Sequence, residues 1–147
     1  MKKKNISLIA IALVIAATSL LNVSCSKEFQ VEKNQLYGTW YFPSTLAPDT
    51  LTGFNWAAAS MTIKAPDTML VNAEPGKVFI WTLRDNNVTA TCTPRANVDE
   101  HYVIAFTVNE IDAKTMKIVG KYRYLYMGDN QVWGNISCTL SKTPPAK

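Results

Sequence analysis

Chemistry in a chain with one histidine and three cysteines has few places to reside. His101 sits beside Asp99 and Glu100, which is the one place where an imidazole and carboxylates are neighbours. Strand alternation, however, puts His101 on the face opposite Tyr102 and Ile104. A base there would point at water rather than into a site. No serine stands in a nucleophile-elbow pattern. Cys92 and Cys138 lack the cationic or helix-terminal neighbours that activate a thiol. No glycine-rich phosphate loop, paired CxxC motif or calcium-loop spacing is present, and one histidine cannot build a His-based metal cluster. The expectation is a non-enzymatic protein with no cofactor or metal. Aromatic side chains are more promising. Phe79, Trp81, Tyr102, Phe106, Tyr122, Tyr124 and Tyr126 all fall on apolar parities, and together they would line an interior with rings and a few hydroxyls. Such an interior either receives a small apolar or amphiphilic ligand or is simply filled by its own rings.

Those rings can share an interior only if strands position them, and the sequence from Trp40 onward alternates with period two. Trp40–Phe42, Met61–Lys64, Met69–Asn72, Val78–Leu83, Val88–Thr93, His101–Asn109, Thr115–Met127 and Gln131–Lys142 read as strands. Ala65-Pro66-Asp67-Thr68, Arg84-Asp85-Asn86-Asn87 and Gly128-Asp129-Asn130 read as turns between them. Helical signal is confined to a turn or two at Glu28–Leu36 and Asn55–Ser60. About eight short strands, one face apolar and one polar, predict an antiparallel up-and-down barrel, whose closure removes exposed edges. Gly120 within the longest strand predicts a bend or bulge where the wall curves. The loop Thr45–Ala59 carries Phe54 and Trp56, which read either as exposed anchors for a partner or as a cover for the barrel mouth. Cys92 and Cys138, both on the apolar parity, form either a candidate disulfide or two small buried hydrophobes. Thr143–Lys147, with two prolines, reads as a loose C-terminal tail.

The N-terminus reads as an address rather than as fold. Lys2, Lys3 and Lys4 precede an uncharged apolar run from Ile6 to Leu21, which ends in Asn22-Val23-Ser24-Cys25 before the chain turns polar. This is the layout of a secretory signal. Ser24-Cys25 at its boundary resembles the lipobox of bacterial lipoproteins, although Asn22 stands where that pattern prefers an aliphatic residue. The resemblance implies cleavage of residues 1–24, lipidation of Cys25, a tether over 25–35 and anchoring in a bacterial outer membrane, at its periplasmic or its cell-surface face. The formal charge of +4 includes the three N-terminal lysines, so the remainder is near neutral and offers no basic patch for nucleic acid.

Leu36-Tyr37-Gly38-Thr39-Trp40 resembles the G-x-W opening of the lipocalins and, more closely, the L-x-G-T-W opening of lipocalin-like lipoproteins of the Bacteroidetes type. Trp81-Thr82-Leu83-Arg84-Asp85-Asn86-Asn87-Val88 is similar to a mid-domain hairpin of that group, and Ile111–Met116 to the start of its late strands. The likeness implies a calycin-type barrel over 36–142 in which Leu36, Gly38 and Trp40 form the family motif and Trp40 plugs the closed end. In lipocalins a late cation stacks on this tryptophan; Lys121, Arg123 and Lys142 are the candidates here. Two functional expectations follow. One is a lipid-anchored extracytoplasmic module that binds a small hydrophobic ligand. The other is a surface domain with a filled barrel that meets protein or glycan through its loops.

Overall fold

A computed structural model describes residues 28–50, 54–92, 101–125 and 133–146, with backbone alone for Tyr124 and Leu125. Cys25, the signal segment, Asp99, Glu100, Tyr126 and the Gly128–Asn130 turn lie outside the described residues.

Eight antiparallel strands close into a barrel in simple sequence order: β1 (Gly38–Tyr41), β2 (Ser60–Lys64), β3 (Thr68–Val71), β4 (Phe79–Arg84), β5 (Asn87–Cys92), β6 (His101–Ile111), β7 (Thr115–Leu125) and β8 (Gly134–Ser141). Among the described residues a four-residue helix, α1 (Lys33–Leu36), precedes them. Its capping box joins Glu32 and Gln35, each side chain serving the other's backbone. The Asn55–Ser60 stretch forms a tight turn instead of a helix, with the Asn55 side chain accepting the Ala57 N–H at 2.9 Å.

Alternation dictates the packing. In β5, Val88, Ala90 and Cys92 are buried while Asn87, Thr89 and Thr91 are exposed. One core fills the barrel, including Trp40, Met61, Ile63, Met69, Phe79, Trp81, Phe106, Ile118, Ile136 and Leu140. The β4–β5 hairpin turns through Asp85 and Asn86, with Asp85 at φ +53°, a left-handed geometry that Asp tolerates better than most residues. Asp112 makes the β6–β7 turn: its carboxylate accepts the Lys114 and Thr115 N–H groups, both at 2.7 Å, and the Thr115 hydroxyl at 2.9 Å.

Gly120 lies hard against the neighbouring strand, while the bulge itself begins two residues further along β6, at Val108. The register slips between Val108 and Glu110, whereas Gly120 pairs regularly with Phe106. A Cβ added at Gly120 would lie 2.2 Å from the Ala105 carbonyl oxygen and 2.6 Å from the Phe106 Cα. No side chain fits there.

The segment before β1 departs from the expected tether. Val31 is buried, and Asn86 clasps the chain around it: the Asn86 amide accepts the Val31 N–H at 2.9 Å and donates to the Phe29 carbonyl at 2.8 Å. The side-chain amide thus mimics a strand partner and fixes this segment under the barrel from Phe29 onward. The candidate disulfide is not formed. Cys92 and Cys138 are free thiols, because β6 and β7 separate their strands in the barrel order.

Candidate functional site

The two ends of the barrel differ, and the difference locates the site. The base is the end where β1 begins. Gly38 takes φ +120°, which L side chains rarely adopt, and this turns the chain from α1 into β1 so that Trp40 points inward. The Trp40 ring is fully buried, its indole N–H donates to the Leu36 carbonyl at 2.8 Å, and the Lys142 ammonium lies 4.7 Å from its ring centre. Of the three candidate cations, Lys142, just past β8, is the one that meets this tryptophan. Lys121 and Arg123 lie on the outward parity of β7, and Arg123 stacks on Trp133 instead, 4.1 Å from its centre. Trp81 also belongs to the base. It packs edge-on to Tyr37 at 6.1 Å, and its indole N–H donates to the Lys64 carbonyl at 3.3 Å. The base is thereby shut by two tryptophans and Leu36.

The mouth is built differently, from the β1–β2 and β3–β4 connections. Phe54 and Trp56 do not stand out as exposed anchors. Trp56 is 2% exposed and Phe54 is partly buried, both folded down over the rim. Phe54 stacks on Tyr122 at 4.5 Å and on Trp56 at 4.4 Å, and Trp56 meets Phe42 at 4.7 Å and Tyr122 edge-on at 5.5 Å. An apolar rim left open to water would be costly, and these rings cover it. The mouth-cover alternative is the one the fold adopts.

Beside that lid lies a polar clasp that the sequence reading missed. Glu74 and Lys77, flanking Pro75-Gly76 in the β3–β4 connection, form an ion pair, and the Tyr122 hydroxyl donates to the second oxygen of Glu74 at 2.8 Å. The Lys77 ammonium also lies 4.3 Å from the centre of the Tyr102 ring. A glutamate and a lysine three apart around a Pro-Gly turn were the available signal, since such a turn brings its flanks together. Burial first, and then the bond to Glu74, push the Tyr122 phenol up, so it serves as a hydrogen-bond donor rather than a base. Burial alone would lower Lys77, but the bond and charge of Glu74 outweigh it and raise the ammonium. Burial pushes the Cys92 thiol up as well, and brings Cys138 to about 11.

The interior residues named from the sequence therefore divide. Tyr122 and Tyr102 reach the mouth, with Cys92 opposite Tyr102 on the neighbouring strand. Phe79, Phe106 and Trp81 are deep core, and Tyr124 is placed by its backbone opposite Tyr102. His101 opens β6 and is exposed. Among the described residues no three His, Cys, Asp or Glu side chains gather, and no helix is long and apolar enough to cross a membrane. In comparisons with family models, curated proteins and solved structures, the chain has no match.

The mouth can do two things chemically. Its stacked rings present an apolar surface over the rim, and its clasp offers one cation, one carboxylate and one phenol at the edge of that surface.

Proposed function

We propose that this protein is a lipid-anchored, non-enzymatic binding module of the lipocalin-like kind, held at a bacterial outer membrane through Cys25, and that a small apolar or amphiphilic ligand enters by displacing the Phe54–Trp56 lid. The observation that carries the reading is the asymmetry of the two ends. The base is closed by fully buried rings under Lys142, whereas the mouth is covered by a connection whose rings rest on Tyr122 beside a polar clasp. The likeness of Leu36-Tyr37-Gly38-Thr39-Trp40 to the lipocalin opening supports the family reading, because each residue of that motif has a structural task at the base. The anchor rests on the lipobox-like Ser24-Cys25.

Titration of the protein with a panel of fatty acids, bile acids and haem, followed by tryptophan fluorescence, tests the reading. A saturable change that Trp56→Phe removes and Trp81→Phe retains is expected, since Trp56 is the ring the ligand displaces. Silence across the panel overturns it.

A second reading has its own support. The deep interior is packed with side chains, Trp40, Phe79 and Trp81 all being 0% exposed, as in a barrel that serves only as a scaffold for contacts with protein or glycan. An unchanged fluorescence panel together with a partner captured by the intact outer surface favours that reading.

A further inference from the structure

The outer wall of the barrel carries a feature that the mouth does not explain. Across β5, β6 and β7 the outward residues fall into rows set by the register: Asn87, Thr107 and Val119; then Thr89, Ala105 and Lys121; then Thr91, Val103 and Arg123. Ala105 is the smallest of these, and beside it Gly120 carries no side chain at all. The result is a cleft of about 270 Å³ with an apolar floor and polar walls. Asn87, Thr89 and Thr107 bound one side, and Lys121 and Trp133 bound the other. The Thr107 hydroxyl donates to the Asn87 side-chain Oδ1 at 2.6 Å, which leaves the Asn87 side-chain N–H groups as donors at the rim. Trp133 is half-buried, and the Arg123 guanidinium 4.1 Å from its centre fixes its ring.

We infer that this cleft binds an acidic sugar, a hexuronate ring at the end of or within a glycan. The aromatic ring meets the C–H face of a pyranose. Asn87, Thr89 and Thr107 match its hydroxyls, and Lys121 meets its carboxylate. Charge decides for an acidic over a neutral sugar. No acidic side chain bounds the cleft, and among the described residues no carboxylate pairs with Lys121, whereas the neighbouring Lys117 is taken by Glu110 at 3.0 Å. The volume lies just below the roughly 300–1,000 Å³ of sites for drug-sized ligands, so one ring fills it. This site is independent of the mouth, and either can fail without the other.

Glucuronate, glucose and acetate are titrated at millimolar concentration against the intact protein and read by NMR shifts of the Thr89, Thr107 and Lys121 amides. Glucuronate is expected to bind saturably, and about tenfold more tightly than glucose, the equivalent of one ionic contact. Lys121→Gln removes that tenfold preference; being exposed, it tests the charge contact even if Trp133→Ala fails to fold. Trp133→Ala abolishes the shifts, and Trp56→Phe leaves them intact. Equal response to acetate and glucuronate, persistence of the preference in Lys121→Gln, or no saturable shift at all overturns the assignment.

Discussion

Single side chains set the two ends of this molecule. Trp40 fills the base with one hydrogen bond and one cation above its ring, so Trp40→Ala removes a large buried volume and is expected to cost about 3–5 kcal/mol of stability. Lys142→Met keeps the stem but loses the charge, and a smaller loss of about 0.5–2 kcal/mol is expected in denaturant titration. A larger effect for Lys142 than for Trp40 would show that the base is held by charge rather than by packing. At the mouth, Tyr122→Phe deletes a donor to a carboxylate and should cost about 1–3 kcal/mol, because Glu74 keeps Lys77 but loses its second partner. The thiols give a further check. With Cys138 held near 11 and Cys92 raised by burial, both should resist iodoacetamide at pH 8 in the folded protein and react once denaturant unfolds it; rapid mass-mapped labelling of either thiol in the folded state would contradict the burial.

Among the elements, strand pairing is uneven. β6 and β7 share a long register, while β3 meets β4 only at Thr68–Ile80 and Met69–Phe79, and β8 meets β1 only at Tyr41–Ser141. Amide exchange is therefore expected to be slowest in β6–β7 and fastest at the β3–β4 and β1–β8 seams. The lid loop also spans the second seam, since Asp49 accepts the Asn135 N–H at 2.8 Å on β8. Under the proposed ligand entry, lifting the lid would loosen that edge as well as uncover the rings. Gly120→Ala tests the close approach in the longest pair: its Cβ would meet backbone atoms that cannot swing away, so a loss of at least about 1–3 kcal/mol is expected in thermal or denaturant unfolding. Tolerance of that substitution would mean the wall can relax there.

For the molecule as a whole, pH sensitivity should come from the mouth, from one turn and, on the alkaline side, from the thiols that burial raises. Lys77 is raised in the folded state, so its contribution is complete below the ordinary lysine value of 10.5 and fades as pH climbs through the higher folded value. Asp112 is lowered by the Lys114 and Thr115 N–H groups and the Thr115 hydroxyl. Its contribution holds above 3.8 and disappears as pH falls through its lower folded value. Stability measured by denaturant titration should accordingly be flat through the neutral range and decline at both extremes, with Glu74→Gln blunting the alkaline decline. A steep change near neutrality would point to a group other than these.

The sequence alone determined the strand alternation, and alternation decided which residues face the core. Phe79, Trp81, Cys92, Ile104, Phe106 and Tyr122, read as inward from parity, are all buried, because successive side chains on a strand must point to opposite faces. Eight such strands in simple order closed as expected. Distance between segments is what parity does not contain. Only the tertiary fold decided that Lys142 rather than Lys121 or Arg123 reaches Trp40, and that Asn86 clasps the chain at Val31, 55 positions away. It also brought Phe54 and Trp56 in over the rim, and drew Glu74 and Lys77 from an unremarked turn to Tyr122. Each of these depends on where barrel closure puts residues far apart in sequence. A local pattern can say that a side chain points inward, but not which other inward side chain it will meet.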